Sequence, residues 1–109
     1  MIIVQRKDFD MGVELRQLTN SSYKIGGICS FLGLVRDLPG KESLRAMTLQ
    51  HYPEMTQKEL KKIDAEAQER WPLEASLIIH RYGRLEPGEQ IVLAVTASAH
   101  RKAAFEACQ

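Results

Sequence analysis

The sequence has no long apolar run. Its longest stretches, such as Ile91 to Val95, fall far short of the ~20 residues needed to cross a bilayer, and the N-terminus meets charge at Arg6, Lys7 and Asp8 without a signal-peptide core. The expectation is a soluble, cytoplasmic protein without a membrane partner. Cysteine is scarce as well. Cys29 and Cys108 lie far apart in the sequence and in no metal-ligand spacing, which argues against a zinc site or a disulfide framework and reads as two free thiols in a reducing cytosol. Cys29, inside an apolar stretch, reads as a buried inert thiol rather than a nucleophile. An excess of charge is missing too: 15 Lys and Arg against 14 Asp and Glu leave a net +1, too little to hold a phosphate backbone. Nucleic acid is therefore not an expected partner, and any anion site must be local. The chain also lacks a Ser-His-Asp order, a glycine-rich phosphate loop, a metal-binding His pair and a redox Cys pair.

What remains is an ordinary globular balance, 44% hydrophobic and 27% charged over 109 residues, sized for a single domain over 1–109. MIIVQ, from Met1 to Gln5, reads as a strand, and Asp8 or Asp10 is placed to cap a helix carrying Val13, Leu15 and Leu18, ended by the polar cluster from Thr19 to Ser22. From Ile25 to Arg36 three glycines in an apolar segment argue for a strand with a bulge or a close backbone approach. Alternation puts Cys29, Phe31 and Val35 on one face and Leu32, Leu34 and Arg36 on the other. Asp37 to Ser43 reads as an exposed loop and Leu44 to Tyr52 as a strand. Thr56 and Glu59 have capping-box spacing, so a helix is expected from Thr56, with Leu60, Ile63, Ala67 and Trp71 on one stripe and Pro72 as its stop. Ser76 to Tyr82 and Glu89 to Ser98 read as an antiparallel hairpin through a Pro87-Gly88 type II turn, and Ser98 as the cap of a last helix. The order predicts an α+β fold of antiparallel sheets with packed helices rather than a doubly wound parallel sheet.

The candidate chemistry is anion binding. Arg36 closes a strand, and His100 and Arg101 sit in the first turn of the last helix, where free amides and the helix dipole favour a phosphate or carboxylate and an arginine adds a bidentate donor. Taken alone, such residues are more often solvated surface or local ion pairs. His51 and Tyr52 read as packed strand-end residues, His80 as a hydrogen-bonded histidine near the core, and Phe31 as core on an alternating face. Lys58, Lys61 and Lys62 read as the wet face of their helix, with Glu66 and Glu69 one turn on.

Several stretches together carry a resemblance: Phe31-Leu32-Gly33-Leu34-Val35-Arg36, Leu49 to Thr56, Arg70-Trp71-Pro72-Leu73, Ile79 to Gly88, and Ser98-Ala99-His100-Arg101 with Ala104 to Ala107. In order and spacing they resemble the MoaE family, the large, catalytic subunits of molybdopterin synthase. The resemblance implies an α/β hammerhead-type fold, a central homodimer within a heterotetramer, and a small ubiquitin-like sulfur-carrier subunit (MoaD-like) at each end. It implies sulfur transfer from the carrier's thiocarboxylate to cyclic pyranopterin monophosphate, with no resident cofactor and no metal. By position, Leu34, Val35 and Arg36 would line the substrate site, His100 and Arg101 would bind its anionic groups, and Phe31 would lie near the same pocket. Gln50 and Glu54 depart from the family's Glu and Gly. The family's last helix runs on into a Lys-Thr-Arg-Ala-Pro-Phe-Trp-Lys pattern whose lysines are assigned to the chemistry. The sequence ends at Gln109 before that pattern, so no catalytic residue is assigned within it, and the alternative expectation is a C-terminally truncated form that only dimerises and docks the carrier.

Overall fold

The two apolar strands flanking Pro87 and Gly88 are the centre of the fold. The computed structural model describes residues 1–36, 47–49 and 53–109, in the order β1 (Ile2–Gln5), α1 (Met11–Thr19), β2 (Gly27–Leu34), β3 (Met47–Leu49), α2 (Pro53–Arg70), β4 (Leu73–Arg81), β5 (Gly83–Leu85), β6 (Gln90–Ser98) and α3 (Arg101–Cys108). The expected loop from Asp37 to Ser43, the ends of the strand expected over Leu44 to Tyr52, and His51 and Tyr52 lie outside the described residues. β4 and β6 pair antiparallel, with Leu77 opposite Val95 and Ile79 opposite Leu93. Their turn has the expected geometry: Glu89 N–H donates to Glu86 O at 3.1 Å, and Gly88 has φ +91°, the left-handed value that a type II turn requires at its third position.

The main sheet runs β1-β4-β6-β2, and a separate ribbon pairs β3 with β5. One pair departs from the antiparallel arrangement expected from the sequence. β1 lies parallel to β4, with Ile2 beside Ile78, because two helices and most of the chain intervene and supply the long crossover that parallel pairing needs. The mixed α+β class stands. The β2–β6 ladder shifts register between Gly33 and Leu34, but the extra residue is Ile91 of β6, so the bulge expected in the glycine-bearing strand lies on its neighbour.

Strand alternation sorts the side chains onto two faces. On one, Leu77, Ile79, Leu93 and Val95 form the buried core, covered by Leu15 and Leu18 of α1, with Ile3, Phe9, Met11 and Ile28 completing it. Asp10 caps α1 as expected, accepting from Val13 N–H at 3.1 Å. The other face carries α2 and α3. Ser76 donates to Asp64 of α2 at 2.6 Å, and Thr96 donates to the Ala104 carbonyl of α3 at 2.6 Å. Thr96 is buried, so Thr96→Val takes the hydroxyl donor from that carbonyl and is expected to cost about 1 kcal/mol, read as a shift of the urea unfolding midpoint.

Three expectations are corrected. α2 starts at Pro53 rather than Thr56, because a proline is pre-set for the first turn and lacks only an amide that would go unpaired there. Ser98 does not cap α3. It ends β6 opposite Gly27 and Leu73, its hydroxyl donates to Pro72 O at 2.8 Å, and His100 takes the cap position. Phe31 is not core but 56% exposed, and Ile63 on the expected α2 stripe is also 56% exposed. Lys58, Lys61 and Lys62 are exposed as expected.

Candidate anion site

The last helix begins against two glycines. A Cβ on Gly26 would fall far inside contact distance of the Ala99 carbonyl oxygen, and one on Gly27 would lie 3.3 Å from the Arg101 Cα. Only bare backbone lets the Ala99-His100-Arg101 turn lie so close to the start of β2. Gly26 N–H donates to Ser98 O at 2.9 Å and fixes that approach.

At this turn His100 is extended, makes no side-chain cap, and is followed by a first helical turn without an acidic residue. His100, Arg101 and Lys102 are all exposed. The first amides of α3 are thus left without a capping side chain and are flanked by cationic groups, the arrangement that suits an anion. An arginine on such a turn holds its charge at any physiological pH and offers a planar fork of donors.

Arg36 is somewhere else. It follows the far end of β2, where Leu34 pairs with Gln90, while Gly27 at the near end pairs with Ser98. At ~3.3 Å per residue, the strand alone separates those ends by roughly 23 Å. The structure therefore brings His100 and Arg101 together, and Leu34 with Arg36, but does not bring the two groups together within one chain. Val35 between them is buried, and its backbone joins the β6 turn: Val35 N–H donates to Glu89 O at 2.9 Å and Gly88 N–H donates to Val35 O at 2.8 Å. Leu34 and Arg36 flank it, exposed. Phe31, midway along β2, borders an open cleft of about 430 Å³ with Phe105.

Behind the Arg36 end lies a residue that the sequence reading passed over. Arg81 is buried, with Nε donating to Arg6 O at 3.1 Å and Nη1 to Gln90 O at 2.8 Å, while its guanidinium faces Asp8 at 3.6 Å and Glu89 at 3.5 Å. Asp8 is held below its ordinary carboxyl pKa, first by the Gln90 amide, then by Phe9 N–H and, more weakly, by the charge of Arg81. The signal available in the sequence was an arginine on a strand face that otherwise alternates apolar, at Leu77, Ile79 and Arg81.

A mixed sheet with helices on both faces defines an α+β domain, and the start of its last helix is uncapped by any side chain and carries Arg101 and Lys102. The family model for MoaE protein matches residues 4–109, and the chain belongs to that family. The molybdopterin synthase catalytic subunit of Mesorhizobium japonicum is 52% identical over 104 residues, covering 95% of this chain and 64% of that protein. The chain thus spans somewhat less than two thirds of that relative's length. The solved MoaE protein of Burkholderia ambifaria superposes with a TM-score of 0.89 at 46% identity, over 99% of this chain and 70% of that one. A Helicobacter pylori complex of subunits 1 and 2 of molybdopterin-converting factor shares the fold, with a TM-score of 0.76 at 18% identity over 97% of this chain and 70% of that one. Among the described residues no helix is long and apolar enough to cross a membrane.

Proposed function

We propose that this chain serves as the large subunit of molybdopterin synthase, a cytoplasmic sulfurtransferase that converts cyclic pyranopterin monophosphate to molybdopterin with sulfur from a thiocarboxylated small subunit. The observation that carries the reading is the start of α3, where His100 and Arg101 flank amides that no side chain caps. The substrate's cyclic phosphate needs such a local positive site, and the net charge of +1 supplies no general one. Membership of the family supports the reaction, and relatives named as catalytic subunits favour it over a module that only docks the carrier. The Helicobacter complex is consistent in fold with the MoaD-like partner. Residues 1–109 act as one domain within this assembly.

The separation along β2 shapes the rest of the proposal. A small substrate touching both Arg36 and Arg101 requires two chains, the Arg36 end of one facing the His100 and Arg101 end of its partner. In calorimetry with cyclic pyranopterin monophosphate, Arg101→Ala is expected to weaken binding by about 1.5 to 3 kcal/mol, the loss of a charge-assisted hydrogen bond. Unchanged affinity removes Arg101 from the site. Mixing Arg36→Ala chains with Arg101→Ala chains then tests the arrangement. If the residues meet across two chains, each mixed dimer regains one intact site. If they act within one chain, mixing rescues nothing.

A further inference from the structure

The two cysteines, 79 positions apart by number, meet in the fold. Cys29 lies in β2 opposite Thr96 of β6, and Phe31, the next residue on that face, lies opposite Ala94. The Cys108 thiol, from the last turn of α3, reaches the Ala94 carbonyl at 3.8 Å, which sets its sulfur over the same two rungs of the β2–β6 ladder. That places it beside Cys29, and both thiols line the open cleft with Phe31 and Phe105. Both are half-buried and unbonded.

We infer that Cys29 and Cys108 form an oxidisable thiol pair whose disulfide joins the last turn of α3 to β2. The oxidant is a small soluble disulfide of the glutathione class, admitted by the cleft. Cys29, as its thiolate, attacks one sulfur of the glutathione disulfide; a Cys29–glutathione bond forms, the glutathione S–S bond breaks, and one glutathione leaves as its thiolate. Cys108, its proton passed to water, then attacks the Cys29 sulfur, forms the protein disulfide and expels the second glutathione. Two protein thiols are oxidised and one disulfide is reduced to two thiols.

Cys108 is the resolving partner. Burial, followed by the neighbouring Cys29, pushes its thiol up to about 11, which makes it the poorer first nucleophile. The product ties down an eight-residue helix, shorter than a helix that holds its shape alone in water.

Incubation of the reduced chain with excess oxidised glutathione tests this. The expected product has an intact mass lower by two hydrogens, no thiol left to alkylate after denaturation, and a peptide map joining the Cys29 and Cys108 peptides. Dithiothreitol restores both thiols. The oxidised form melts at a higher temperature and exchanges its α3 amides more slowly. Cys29→Ser and Cys108→Ser each gain at most one glutathionyl group and form no product lighter by two hydrogens. A wild-type chain that takes up two glutathionyl groups, keeps both thiols alkylatable, or links only to a second chain overturns the inference.

Discussion

Gly26→Ala is expected to destabilise the fold by about 3 kcal/mol, at the upper end of ordinary overpacking, and to displace the start of α3. The added methyl would meet the Ala99 carbonyl, which is backbone and has no rotamer through which to escape. Nor does the strand beside it have room to yield, because Ser98 is 1% exposed, held in β6 and bonded to the Pro72 carbonyl. Relief must come from the Ala99-His100-Arg101 turn. The same substitution is therefore expected to abolish the anion affinity assigned to that turn while leaving the Arg36 end of the sheet in place. Gly27→Ala is the control: its Cβ meets the Arg101 Cα at 3.3 Å, a contact relieved by a shift of a few tenths of an ångström. Urea unfolding and phosphate-ester calorimetry on the two variants separate them, and equal stabilities would show that the close approach at Gly26 does not constrain the turn.

Arg81→Met is expected to cost about 3 kcal/mol, through two part-buried carbonyls left without their donor and a buried guanidinium replaced by a shorter side chain. The cost stays at that level because Asp8 and Glu89, with side chains 64% and 40% exposed, can turn to water once the arginine is gone. The damage is directional. Glu89 O receives Val35 N–H, so loosening Glu89 frees the segment that presents Leu34 and Arg36, at the end of β2 remote from His100. Acid titration adds a second readout. The Asp8 pKa in the folded protein lies below its ordinary 3.8, so its contribution to stability is present above that value and is lost as pH falls through the lower folded one. Arg81→Met should weaken this acid dependence only in part, since the Gln90 amide and Phe9 N–H hold Asp8 more strongly than the arginine charge does.

The parts of the fold legible in the sequence were those in which local chemistry leaves few choices. Pro87-Gly88 has one good turn, the cap of α1 fell to one of two aspartates, Asp8 and Asp10, and Pro72 stops α2. The α2 start was misplaced because two local signals compete, a capping box at Thr56 and a proline at Pro53, and position alone decides between them. β5 was invisible for a different reason: three residues, Gly83–Leu85, become a strand only because Met47–Leu49 lies beside them. The exposure of Phe31 likewise depends on how much of its face α3 covers, which periodicity does not encode. The residues of the candidate site were readable by resemblance, but their distribution was not. Arg36 and Arg101 look like members of one pocket until β2 is given a register, and Gly27 opposite Ser98 with Leu34 opposite Gln90 sends them to opposite ends.

The strand order carries a consequence for how the chain reaches this state. β1 and β2 are the first strands made, yet they occupy the two outer positions of the main sheet, and the inner pair, β4 and β6, is made last. β1 has no register until Ile78 to Arg81 exist to receive it, and β2 has none until β6 does. The early segments must wait, unpaired, while most of the chain is synthesised, and the loops closed by their pairing are long, a topology of high contact order and slow assembly. The local β4–β6 hairpin is the scaffold onto which the older sequence is fitted.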